Sequence, residues 1–287
     1  MGVEMKYAMA EMSVKEVREY LKTNQTIIFP YGVVEQHGYH LPLSTDIEGA
    51  EVYAYALAER LGCIVAPCLN YCFSGGMLPG TINVKPNNFS NFVGDIIESL
   101  VLQGFLNILI MPGHGGSESL LHLKESLRIQ KWLNPALHKA MILFLRRNDF
   151  SERAKAALQE HDWHAGKHET SMILANRPHL AMMDQLEMDT PEIAELLRDD
   201  PDAYQKRTSF SGLRAEVVNT VQRPEIKVGV MGYPEQASAE LGRQNLKDMV
   251  DTMAPALQKA IAMAAEARRS GEMIEIIDNE KLKMLKL

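Results

Sequence analysis

Asn107-Ile108-Leu109-Ile110-Met111-Pro112-Gly113-His114-Gly115-Gly116-Ser117 runs from an almost unbroken apolar segment straight into a glycine-rich turn. A run without polar alternation suits a strand covered on both faces, as in a mostly parallel sheet. Thr26-Ile27-Ile28-Phe29-Pro30, Ile64-Val65-Ala66-Pro67 and Ala140-Met141-Ile142-Leu143-Phe144-Leu145 share this character. Residues 13–23, 47–61, 90–103, 117–132, 151–160 and 236–267 instead carry apolar side chains at the helical spacings of three and four. Ser13, with Glu16 three residues on, has the pattern of an N-cap and its capping-box partner. Strand and helix alternate, so the fold class is α/β, layered about a mostly parallel sheet.

The 287 residues are read as one domain over 1–287, with 270–287 a peripheral tail, because no repeat, low-complexity tract or dividing linker interrupts them. The acidic, proline-punctuated stretch 183–202 reads as a surface excursion within that domain, least structured at Asp199-Asp200-Pro201-Asp202. A net charge of -7 argues against a nucleic-acid partner, and the longest basic cluster is only Arg146-Arg147. No stretch has the length of a membrane span and no secretory apolar region opens the chain. Cys63, Cys68 and Cys72 match no zinc-ribbon spacing and leave an odd thiol, which points to reduced cysteines and a cytoplasmic protein.

Where polar residues follow the apolar runs, chemistry is expected, since ligands of open α/β sheets gather beyond the carboxyl ends of the strands. The first such segment is Glu35-Gln36-His37-Gly38-Tyr39-His40-Leu41-Pro42-Leu43-Ser44-Thr45-Asp46. Carboxylate and imidazole together form a ligand set for zinc, iron or manganese, and an aspartate can bridge two ions, so Glu35, His37 and Asp46 are read as metal ligands. Within that turn, His40 is assigned to support or substrate contact. His114, set between glycines after the second strand-like run, is read as a further ligand; a Walker loop is excluded by the absence of a lysine after those glycines.

The third segment is His161-Asp162-Trp163-His164-Ala165-Gly166-Lys167-His168-Glu169-Thr170-Ser171, in which Glu169 opens a helical stretch and can point into the crevice. His37, His40, His114, His161, His164 and His168 are six of the nine histidines, which favours one shared centre. Four or five Glu, Asp and His ligands would hold two divalent ions, able to activate water and polarise a carbonyl, with an unligated histidine moving protons. Residues 74–81, beginning at Ser74, offer substrate contact or turn chemistry.

Glu35-Gln36-His37-Gly38-x-His40-Leu41-Pro42-Leu43-x-Thr45-Asp46, Gly113-His114-Gly115-Gly116, His164-Ala165-Gly166-x-x-Glu169-Thr170-Ser171 and the distal Gly229-Val230-Met231-Gly232-Tyr233-Pro234-x-x-Ala237-Ser238 together resemble the creatininase (creatinine amidohydrolase) family. The resemblance implies a three-layer α/β/α sandwich with a dinuclear metal centre, assembled as a homohexamer. It implies metal ligation by Glu35, His37, Asp46 and His114, with Asp46 bridging, completion by Glu169, and proton transfer by His164. Zinc leads among the metals, with manganese and iron as alternatives. Trp163 and His168 are assigned to the substrate pocket with His40 and Ser74. Three departures point away from creatinine itself: Gly116 stands where creatininase has a ligating glutamate, Met77-Leu78 replaces a Glu-His pair, and Trp163 is shifted from the tryptophan that closes over creatinine.

The expected function is therefore a metal-dependent hydrolase that cleaves a cyclic or linear amide C–N bond in a small polar molecule. Hydrolytic C–C ring opening of a cyclic keto-inositol is the alternative reaction. A catalytically silent, metal-stabilised scaffold is the alternative of another class.

Overall fold

In the computed structural model, which describes residues 7–147, 150–208 and 219–271, β1 (Thr26–Tyr31) and β3 (Asn107–Pro112) pair in parallel along their full length. β2 (Ile64–Val65) joins the other edge of β1, and β4 (Met141–Phe144) the other edge of β3, giving the order β2-β1-β3-β4, parallel throughout. All residues of these strands are buried, which explains the unbroken apolar runs: both faces are covered.

Alternate residues supply the two faces. Ile28, Leu109, Met111 and Leu143 pack into a core with Leu57, Met172, Ile173, Met253 and Leu257. These come from α2 (Thr45–Leu61), α6 (Lys167–Asn176) and α8 (Ala239–Ser270). Ile27, Phe29, Ile108, Ile110 and Phe144 pack on the opposite side with Phe89, Val93, Ile97, Leu123 and Leu127, from α3 (Pro86–Gln103) and α4 (Ser117–Leu133). The result is the expected α/β/α arrangement. Each fully buried Ile, Leu or Phe contributes about 1.5–3 kcal/mol to it.

The element starts follow local chemistry. In α1 (Val14–Thr23) the Ser13 side chain accepts from Glu16 N and the Glu16 carboxylate accepts from Ser13 N, the reciprocal cap expected from sequence. α3 begins before residue 90 because Pro86 occupies the first turn, where its missing N–H costs nothing. α5 (Glu152–Gln159) is capped by Ser151.

The stretch 183–202 lies mostly at the surface, as expected, but is more structured than its acidic, proline-punctuated sequence suggests. It contains α7 (Pro191–Asp199), whose Leu197 is fully buried in a small core with Ala203, Ile226 and Met231. Just before it, Asp189 accepts from the amides of Lys227, Val228 and Gly229. An antiparallel pair, β5 (Gln205–Thr208) and β6 (Asn219–Gln222), stands apart from the main sheet. Cys63, Cys68 and Cys72 are free thiols. Among the described residues no helix is long and apolar enough to cross a membrane. Of the expected tail 270–287, residues 272–287 lie outside the described residues.

Candidate metal centre

Two glycines bring the first turn of α2 down onto the strand ends. A Cβ on Gly32 would stand 2.7 Å from Ile47 N, and one on Gly113 only 2.0 Å from the Asp46 carbonyl oxygen. Asp46 is thereby wedged between the segments that leave β1 and β3, at a helix N-terminus that favours a carboxylate. From the β1 side come Glu35 and His37; from the β3 side comes His114.

The Asp46 carboxylate faces two ways. Its Oδ1 lies 3.5 Å from His37 Nε2, and its Oδ2 lies 3.2 Å from His114 Nδ1. Glu169 Oε2 is 3.6 Å from His37 Nε2, and Glu35 Oε2 is 3.1 Å from His114 Nδ1. Two overlapping donor sets result, His37-Asp46-Glu169 and Glu35-Asp46-His114, with donors in each within 4.8 Å of one another. Glu35, His37 and Asp46 are buried.

These sets fit divalent ions. His37 Nδ1 lies 3.1 Å from the Glu35 carbonyl oxygen, which can only accept, so Nδ1 carries the hydrogen and Nε2 offers its lone pair. His37 Nε2 is buried without a hydrogen-bond partner, a costly state for a polar atom. Ligands on a tetrahedral ion with bonds of about 2.0–2.1 Å are separated by roughly 3.3 Å, close to the spacings within each set.

The electrostatics point the same way. Burial alone would push the His37 imidazole down, but Asp46, with Glu169 and Glu35 behind it, overrides this and holds it at about 10. Burial likewise works against the charge on Asp46, yet His37 and His114 keep its carboxyl well below the ordinary range. His114 is held high by Glu35 and Asp46 against its own burial. The surrounding carboxylates thus favour positive charge at both imidazoles, the same demand a divalent cation would meet.

Glu169 projects from the first turn of α6, and its Oε2 accepts from Ala165 N at 2.7 Å. Ala165 adopts φ 52°, a left-handed conformation costing a non-glycine residue on the order of 1 kcal/mol. Beneath this turn lies Asp162, whose role the sequence reading missed. Its buried carboxylate accepts from the amides of Lys167 at 2.8 Å, Tyr233 at 3.0 Å and His168 at 3.1 Å. It caps α6 and ties the distal Gly229-to-Pro234 motif to the site, helped by reciprocal backbone bonds between His164 and Met231. Asp162→Ala is expected to cost about 2–3 kcal/mol by orphaning these donors, read as a lower melting temperature, and to loosen Glu169.

His164 Nε2 lies 2.8 Å from the Gln36 carbonyl oxygen and donates there, which leaves the Gln36 amide nitrogen at 3.0 Å a neighbour rather than a donor. Its ring centroid is 4.2 Å from that of His37, and burial, then His37, lower its pKa. His164 also falls within a donor set with Glu35 and His37.

The residues assigned to substrate contact divide. Of the two roles expected for His40, the structure has the supporting one and not substrate contact: its ring is fully buried, with Nε2 3.0 Å from Thr170 Oγ1, and it is absent from the cavity wall. Gly38, at φ 66°, turns the chain so that His40 packs against α6 instead of facing the donors. Ser74 lines the cavity, but its hydroxyl donates to Glu35 Oε1 at 2.6 Å and so braces that carboxylate. Trp163 and His168 line the cavity, with Trp163 Nε1 donating to Arg198 O at 2.8 Å and His168 Nδ1 3.1 Å from the Asn245 amide. The cavity, of about 420 Å³, opens onto Glu35, Asp46, His114 and Glu169. Arg146 and Arg147 also line it. They follow β4, and the rule that drew attention to the segments after β1 and β3 would have found them too.

The family model for creatininase, described as creatinine amidohydrolase, matches residues 10–257. The chain is 25% identical to the creatinine amidohydrolase of Pseudomonas putida over 192 residues, 61% of this chain and 74% of the relative. It is 27% identical to the 3-dehydro-scyllo-inosose hydrolase of Thermotoga maritima over 255 residues, 84% of this chain and 79% of the relative. The solved structure "Creatininase Mn" shares the fold with a TM-score of 0.69 at 22% identity, covering 89% of this chain and 99% of that one. With the family model spanning the strands, α6 and most of α8, the chain belongs to the creatininase family.

Proposed function

We propose that this protein is a metal-dependent hydrolase acting on the carbonyl of a small polar amide, cyclic or linear. The observation that supports this most strongly is the pair of donor sets sharing Asp46 at the wall of a cavity. Glu35, Asp46 and His114 would hold one divalent ion, and His37, Asp46 and Glu169 a second, zinc first with manganese or iron as alternatives. When bound there, such ions supply an activated water and polarise the carbonyl.

The remaining steps belong to the chain. Ser74 and the backbone of Glu35 fix the orientation of Glu35 and His37. His164 donates through Nε2 to Gln36, which leaves Nδ1 as the nitrogen that takes a proton and passes it to the leaving amine. His164→Ala is expected to lower turnover by roughly 10²–10⁴-fold while metal content stays constant. A fall in metal content instead would make His164 a ligand.

The relative acting on an inosose matches more of this chain than the creatinine amidohydrolase does, which favours C–C ring opening of a cyclic keto-polyol as a second reading. A panel of lactams, formamides and cyclic keto-polyols, assayed with metal-reconstituted protein, tests both. Hydrolysis of an amide supports the first; turnover of a keto-polyol alone replaces it with the second; no turnover at full metal occupancy supports a silent scaffold. The free cysteines are consistent with the reducing cytoplasm, which fractionation would check. Homo-oligomeric assembly belongs to the same proposal: α4 exposes Leu121, Trp132 and Leu133, and sedimentation as a single chain would refute it.

A further inference from the structure

Arg147 is held in the cavity wall by contacts that leave most of its charge unanswered. Its guanidinium carbon lies 4.8 Å from the centroid of the Tyr53 ring, and Nη2 donates to the Gly113 carbonyl oxygen at 3.0 Å. Its Nη1 comes within 3.7 Å of where a Cβ on Gly49 would stand. Among the described residues no carboxylate lies within 4.0 Å of this guanidinium. A guanidinium has five N–H donors, and the bond to Gly113 uses one.

Its place relative to the donor cluster follows from its anchors. Gly113 immediately precedes His114. Gly49 and Tyr53 lie one and two turns beyond Asp46 on α2, so at about 1.5 Å per residue the guanidinium sits roughly 5–10 Å from Asp46 along the helix. Four of the six carboxylates in the same wall are engaged at the cluster: Glu35, Asp46 and Glu169 with the histidines, Asp162 with backbone amides. Stacking and a backbone carbonyl hold the arginine while leaving donors for a planar, two-oxygen anion, the partner its fork geometry suits best.

Building on the hydrolase reading, we propose that the substrate carries a carboxylate, received by Arg147 while the carbonyl to be attacked lies at the Glu35-Asp46-His114-Glu169 cluster. Arg147 would then select among small amides by charge and by the spacing between carboxylate and carbonyl. A purely structural arginine, bracing Gly113 and Tyr53, would not discriminate between an anionic ligand and its neutral isostere.

The test is calorimetric binding to the metal-loaded full chain of probes that are not turned over: the monohydroxamates of succinate, glutarate and adipate, each paired with its terminal carboxamide. The hydroxamate anchors each probe at the metal cluster, and only the far end differs in charge. At the best of the three lengths the carboxylate is expected to bind roughly 10–100-fold tighter than the carboxamide, the span of a charge-assisted hydrogen bond. In Arg147→Gln that ratio should fall to about one with carboxamide binding nearly unchanged, and Arg147→Lys should keep an intermediate ratio. A ratio near one in the parent at every length, a ratio that survives Arg147→Gln, equal weakening of both probes, or no binding of either probe would each overturn the inference. Because the probes need no turnover, the two readings fail separately: charge preference without turnover of any amide sinks the hydrolase reading, and amide turnover without charge preference sinks this one.

Discussion

Asparagine in place of Asp46 is expected to lower hydrolysis on the order of 10³-fold or more and to reduce metal content, while the fold is retained. The side chain keeps its shape, but a buried carboxylate that faces both His37 and His114 is lost. Proton linkage gives a second readout. In the metal-free protein His37 is raised from 6.5 to about 10, so its contribution to stability is fully present below about pH 6.5 and is lost as pH rises towards 10. Metal binding displaces that proton and so should tighten with rising pH across the same window. In Asp46→Asn the largest influence raising His37 is gone, and both pH dependences should flatten. Unchanged metal content and turnover in this variant would contradict the shared-ligand geometry.

Gly113→Ala should be strongly destabilising. Its Cβ would meet the Asp46 carbonyl oxygen at 2.0 Å, the Asp46 carbonyl carbon at 2.8 Å and Ala50 Cβ at 3.1 Å. Two of these are backbone atoms of the first turn of α2 and cannot rotate away, so the helix must lift from the strand ends. A cost of about 3 kcal/mol or more is expected, a fall of roughly 6–12 °C in melting temperature. Gly115→Ala is the internal control: nothing lies within 4 Å of its Cβ, and its backbone is not left-handed. Its melting temperature should stay close to the parent's, and equal losses in the two variants would refute the steric argument.

The layered fold was legible because each strand is buried on both faces, and that requirement writes itself into the sequence as unbroken apolar runs. The donor cluster was legible because buried carboxylates and imidazoles are expensive, so Glu35, His37, Asp46, His114 and Glu169 stand out against their surroundings. α7 was hidden by its acidic residues, although Pro191 followed by Ile193, Ala194 and Leu197 carries a helix start and an apolar face. His40 shows the limit of proximity in sequence. It lies three residues from His37, but the left-handed Gly38 between them sends its ring to Thr170. Asp162 and Ser74 were not legible in their supporting roles, because each acts on a partner brought near only by folding: Tyr233 for Asp162 and Glu35 for Ser74.

Elemental analysis of the full chain, purified without chelator beside Asp46→Asn, tests the central claim most directly. The account predicts about two divalent ions per chain in the parent, since two donor sets share one aspartate, and at most one in the variant. A parent that binds no divalent ion under reconstitution, or a variant that keeps the parent's full content, would contradict it.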